Sequence, residues 1–209
     1  ITYSPYLDAG ITNEDSNWED QFWNVLEVHQ NEQQSFIQAR TMKTHYNTCT
    51  FMQSQLFIDH EEILTASKNE KTDTAAMCSY TKEINQNQTY TIHKFGGYVV
   101  DRNHHKNELV AAAKKILDKA VSFGFELLLE KQKKSWSKIW ETSDIRITGD
   151  MKAQQGIRFN IFQLNQTYLG TDPTLNIGPK GFTGEKYGES TYWDTEAYCI
   201  PFYMATKNQ

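Results

Sequence analysis

The chain has 209 residues and a formal net charge of −5, with acidic and basic residues interspersed. It is long enough to bury a sizeable core, and its charge argues against nucleic acid or an anionic membrane as partner. Three cysteines without CxxC spacing, Cys49, Cys78 and Cys199, indicate neither a disulfide framework nor a zinc knuckle, so a reducing cytoplasm is the expected location.

No run of about 18 apolar residues offers a membrane span. Aromatics reach 13%, five of them Trp, which fits sugar binding and a bulky core equally well. Asn87 and Asn165 match the glycosylation sequon, a match that is common by chance.

Residues 1 to 101 read as strands. Segments rich in Thr, Tyr, Val, Ile and Phe recur between polar turns at Ile1–Tyr6, Val25–His29, Phe36–Thr41, Cys49–Ile58, Met77–Ile84 and Thr89–Val100. Strands at this spacing predict an antiparallel sandwich or a large twisted sheet. The segment from Thr50 to Ile58 alternates only in part, which leaves its register open. The polar tract Ser67–Ala75 reads as a turn or exposed loop. Between strands, Asn13–Asp20 carries four acids and two Asn. Its spacing does not match an EF-hand, so a solvated loop is the expectation. His104 and His105 are adjacent, and neighbours on a strand point to opposite faces, which disfavours a shared metal.

At Asn107 the period changes. Leu109, Ala113, Ile116, Leu117 and Ala120 step at three and four, as in an amphipathic helix. Gly124 interrupts, and a second stripe from Phe125 to Ile139 follows. Ser143–Thr148 alternates like a short strand, closed by Gly149 and Asp150. From Gln154 the helical period returns through Ile157, Ile161, Leu164 and Tyr168, stopped by Gly170 and Pro173.

The stretch from Leu175 to Tyr203 then joins a glycine-rich loop to flat rings and two carboxylates. Rings stack on the apolar face of a pyranose, and carboxylates accept paired hydrogen bonds from its hydroxyls. The glycines fail the Walker spacing, so a phosphate cradle is not expected; close backbone approach to a ligand and an ordered turn-rich loop both remain. Thr191 and Asp194 have capping-box spacing, so Asp194 could instead cap a helix while Trp193 packs in the core. In a helix Asp194 and Glu196 diverge, which makes them a poor acid and base pair.

The run Gln154–Leu164, with Leu175–Gly188 and Tyr192–Ala197, closely resembles the maltose phosphorylases of glycoside hydrolase family 65. Asn13–Trp18 with Phe22 and Trp23 is similar to the N-terminal domain of the same enzymes, so the likeness covers nearly the whole chain. Glu189 departs from it, standing where the family usually has a second glycine after Gly188. The resemblance implies a multidomain α and β chain. Residues 1–104 would be the end of an antiparallel β-sandwich, 105–148 a helical linker, and 149–209 the first helices of an (α/α)6 barrel. Its ends, Ile1 and an apolar segment still running at the other, read as an internal piece of a longer protein.

The family implies inverting phosphorolysis of an α-glucosidic disaccharide, maltose first, to β-glucose 1-phosphate and glucose. Relatives that act on trehalose, kojibiose or nigerose, or hydrolyse, are the alternatives, and a non-catalytic carbohydrate-binding module is the rival of another class. Trp193 and Asp194 match the pair that holds the non-reducing glucosyl unit. The general acid Glu and the phosphate-binding residues would lie downstream, leaving these 209 residues without a catalytic residue and inactive alone. No metal and no cofactor beyond inorganic phosphate as co-substrate are implied. A homodimer fits the family.

Overall fold

The structure is a computed structural model that describes residues 1–12, 21–31, 33–63, 68–178 and 191–206. The acidic run 13–20 and the glycine loop from 179 to 190, with Glu189, lie outside them. The described residues form two compact units, one within Ile1–Thr12 and Asp20–Leu128, the other within Leu129–Gln209.

The strands of the first unit are β1 (Thr2–Tyr3), β2 (Tyr6–Asp8), β3 (Trp23–Gln30), β4 (Gln34–Thr41), β5 (Asn47–Ile58), β6 (Glu61–Glu62), β7 (Lys68–Lys71), β8 (Ala75–Thr81) and β9 (Tyr90–Val100). They form two antiparallel sheets. In the smaller, β8 pairs with β1, β2 and β7; in the larger, the order β3-β4-β5-β6 is joined by β9 on β5. A first helix, α1 (Leu109–Ser143), begins in this unit after a 3₁₀ turn and ends in the second.

β5 explains its own ambiguous pattern. It lies between β4 and β9 and is covered on both faces, so both alternating sets must be apolar or paired. Cys49 and Phe51 pack with Phe36, Phe95 and Val99 against Leu109, Ala113 and Leu117 of α1. Leu56, on the opposite parity, packs against Cys78 and Tyr80 of the smaller sheet. The stripe from Leu109 to Leu117 is helical as its period predicts, and it covers one sheet face. A polar clamp adds to it: the Gln34 amide donates to Asp118 Oδ1 at 2.8 Å and to Gln53 Oε1 at 2.9 Å.

Three local expectations are corrected. Ile1–Tyr6 is not one strand: Pro5 lacks an N–H, and β1 and β2 separate around it while its carbonyl accepts from Cys78 N–H. Ser67–Ala75 is not all loop. Lys68–Lys71 is a strand on β8, exposed throughout and charged as edge strands often are, and Thr72 Oγ1 closes the following turn by accepting from Thr74 and Ala75 N–H. Ser143–Thr148 contains no strand. Its backbone is held by one side chain, since the Gln154 amide donates to Ile145 O at 2.9 Å and accepts from Ile147 N–H at 2.7 Å.

Gly124 breaks α1 as expected, with φ 71° and ψ 168°, a conformation open almost only to glycine. The histidine pair lies in the turn after β9, where His105 Nδ1 accepts from Asn107 N–H as a cap.

Candidate functional site

The residues singled out by the sequence lie in the second unit, on helices α2 (Met151–Thr167) and α3 (Ile200–Thr206) and the segment between them. α2 starts where Asp150 accepts from Lys152 and Ala153 N–H, at 2.9 and 3.0 Å. Early in the helix, Arg158 forks onto Asp144 with both bonds at 2.8 Å. That guanidinium holds the Asp144 carboxyl below the usual carboxylate range. Trp136 lies against Phe162, ring centroids 4.9 Å apart.

α3 packs on α2 through Tyr203, whose hydroxyl donates to Leu164 O at 2.8 Å and whose ring meets Tyr168 edge-on. Burial pushes the Tyr203 phenol up to about 12. Asn165 is fully buried and donates to Ile161 O, so its sequon is unavailable to modification in this fold. Beyond α2, Asp172 Oδ1 accepts from the backbone and hydroxyl of Thr174. The chain then reaches Asn176 and Ile177.

Two bonds tie that limb to the start of the next helical segment. Asn176 Nδ2 donates to Thr191 Oγ1 at 2.9 Å, and Thr195 Oγ1 donates to Ile177 O at 2.8 Å. Trp193 and Asp194 begin this segment. Thr195–Cys199 then forms a wide π turn, in which Ile200 N–H bonds Thr195 O five residues back, and α3 continues. Pro201 gives a physical reason for the widening. It cannot donate to the carbonyl four residues earlier, and in a tight helix its ring would strike it.

The wide turn sets how the side chains fall. Trp193 is 70% exposed, with its ring 6.0 Å from that of Tyr198, which is also exposed. The core-packing alternative for Trp193 is thus not what the fold does here. Asp194 makes no side-chain cap bond, so its carboxylate is not spent on helix amides as the capping-box alternative required. It is half-buried and close enough to Cys199 that its charge adds to burial in pushing that thiol up. Glu196 is exposed and, two helical positions on, points elsewhere. An exposed ring beside a carboxylate not spent on helix amides can stack on a sugar and accept from two of its hydroxyls.

Sequence reasoning named Trp193 and Asp194 but missed the residues that hold them. Thr195 gave no signal beyond its place in the motif, and Asn176 none. Among the described residues no group of three or more His, Cys, Asp or Glu is placed to hold a metal. A hollow of about 690 Å³ lies in the first unit and is lined by Tyr6, Trp23, Ile37, Tyr46 and Tyr98 among others. Its walls are mostly apolar, with Asp8, Thr48, Thr50 and Arg102 also among the lining residues.

A family model described as the glycosyl hydrolase family 65 N-terminal domain matches residues 1–139, and one described as the family 65 central catalytic domain matches residues 158–209. The chain is similar to a maltose phosphorylase of Bacillus subtilis, 39% identical over 99% of this chain and 27% of that protein. It is also similar to an α,α-trehalose phosphorylase of Thermoanaerobacter brockii, 32% identical over 82% of this chain and 22% of that protein. A solved structure provisionally named a kojibiose phosphorylase, from human microbiome, superposes with a TM-score of 0.84 at 27% identity, covering 98% of this chain and 26% of that one. The chain therefore spans about a quarter of the length of the relatives it matches.

Proposed function

The chain belongs to glycosyl hydrolase family 65, and on that premise we propose that the protein cleaves an α-glucosidic disaccharide with inorganic phosphate and inversion, maltose being the substrate. The observation that carries this reading to particular residues is the exposed Trp193 ring beside the uncapped Asp194 carboxylate. Asp194 accepts hydrogen bonds from the hydroxyls of the non-reducing glucosyl unit, and Trp193 walls its pocket. Phosphate oxygen attacks the anomeric carbon from the face opposite the leaving sugar. The bond to the glycosidic oxygen breaks, and a carboxylic acid delivers a proton to that oxygen. The products are β-glucose 1-phosphate and glucose.

That acid and the phosphate-binding residues belong to parts of the enzyme outside these 209 residues, which alone do not turn over disaccharide. In this proposal residues 1–104 end the β-sandwich, 105–148 form the linker, and 149–209 open the (α/α)6 barrel. No cofactor is needed besides phosphate as co-substrate. In this proposal the enzyme is a homodimer, as fits the family, and cytoplasmic, as its cysteine usage suggests. Among the described residues no helix is long and apolar enough to cross a membrane.

Trehalose and kojibiose are the rival substrates, favoured by the names of the relatives above, since the Trp193–Asp194 end of a disaccharide is the same glucosyl unit in each. Substituting Asp194→Asn in the whole protein tests the assignment. Each charge-assisted bond lost is worth about 1.5–3 kcal/mol, so kcat/KM for the disaccharide should fall at least about a hundredfold for two bonds. Undiminished turnover by that variant would remove Asp194 from the site.

A further inference from the structure

We infer that Thr195, assisted by Asn176, is the positioning residue that fixes Trp193 and Asp194 for sugar binding; the inference rests on the reading that those two hold the glucosyl unit. Three bonds meet at Thr195. Its N–H donates to Tyr192 O at 3.0 Å, closing a turn whose two inner residues are Trp193 and Asp194. Its hydroxyl donates to Ile177 O at 2.8 Å, joining that turn to a limb 18 positions earlier in sequence. Its carbonyl accepts from Ile200 N–H and so carries the π turn.

Thr195 is only 3% exposed, so its hydroxyl is not a sugar contact. Buried hydroxyls keep their bonds because an unpaired one is costly, and among the described residues this one bonds Ile177 O. That makes the hydroxyl a register pin: with it in place the 192–195 turn has one position against the 176–177 limb. The Asn176 amide bond to Thr191 Oγ1, 2.9 Å, holds the same two limbs from the more exposed side. Neither residue is a catalytic residue. Both act through the orientation of the ring and carboxylate next to them.

The test is made in the whole protein with Thr195→Val, which keeps the shape and removes the donor, Thr195→Ser, which keeps the donor, and Asn176→Ala. KM for the disaccharide and KM for phosphate are measured separately, with thermal unfolding alongside. Thr195→Val should raise the disaccharide KM about tenfold or more and leave the phosphate KM unchanged, because a small misplacement of binding groups is felt only by the ligand they hold. Thr195→Ser should restore the wild-type value. Asn176→Ala should move the same constant in the same direction by a smaller factor, and it carries the test if Thr195→Val does not fold.

Unchanged disaccharide KM in Thr195→Val, or in Asn176→Ala where Thr195→Val fails to fold, overturns the inference. So does an equal rise in both constants, which marks general loosening. In those cases the wild type still turns over disaccharide and Asp194→Asn still loses most of its kcat/KM, so the functional reading survives. A wild type inactive on every disaccharide tried, with or without phosphate, overturns the reading and the inference together.

Discussion

Two glycines in helices should respond to the same substitution with opposite signs. Gly124 has φ 71° and ψ 168° inside α1, and a Cβ built there meets nothing within 4 Å. The cost of Gly124→Ala is therefore backbone strain alone, about 1–3 kcal/mol for a non-glycine residue in that region. The unfolded chain loses freedom too, which returns about 0.4–1 kcal/mol. The net expectation is destabilisation by about 1–2 kcal/mol. Gly156 lies within α2, with no positive φ and equally open space for a Cβ. There alanine should stabilise by about 0.5–1 kcal/mol, its ordinary advantage in a helix. Urea unfolding followed by far-ultraviolet dichroism separates the two. With a slope of about 2 kcal/mol/M, Gly124→Ala should lower the midpoint by about 0.5–1 M and Gly156→Ala should raise it slightly. A midpoint that rises in Gly124→Ala would mean that α1 runs straight through, refuting the break as a built feature.

Two further effects follow from single contacts. Tyr203→Phe removes a donor to Leu164 O, but that carbonyl still accepts from Tyr168 N–H, so the cost should stay near 0.5–1.5 kcal/mol, as read by the same urea midpoint. Asp118 is held below its usual range first by the Gln34 amide and then by Lys114. Because its folded pKa is depressed, its contribution is present above about pH 4 and disappears as pH falls through the folded value. The stability difference between wild type and Asp118→Asn should accordingly be full at pH 7 and narrow progressively as pH falls below about 4; a gap that stays unchanged through acid titration would contradict the bonding described.

The larger features were legible because they follow from period and composition. The apolar stripe from Leu109 to Leu117 identified an amphipathic helix and the β-rich segments before it identified strands, and Gly124 announced its own break; that the helix covers a sheet face is what the structure adds. Where the sequence misled, the backbone was satisfied by something other than a regular ladder. Ser143–Thr148 alternates like a strand, yet the side chain of Gln154, in the next helix, takes the place of a neighbouring strand. Lys68–Lys71 looks like loop because an exposed edge strand needs no apolar face. At the candidate site, motif likeness found Trp193 and Asp194, whereas spacing alone left a cap and a core position equally open. The π turn that decides between them depends on Pro201 and on a bond from Thr195 to Ile177, 18 residues back, which no local pattern encodes.

The most direct measurement of the functional claim is the product of the whole protein acting on maltose, with and without inorganic phosphate, with the anomer of glucose 1-phosphate resolved. The account predicts β-glucose 1-phosphate and glucose, formed only when phosphate is present. Glucose released without phosphate, or the α anomer formed with it, would contradict it.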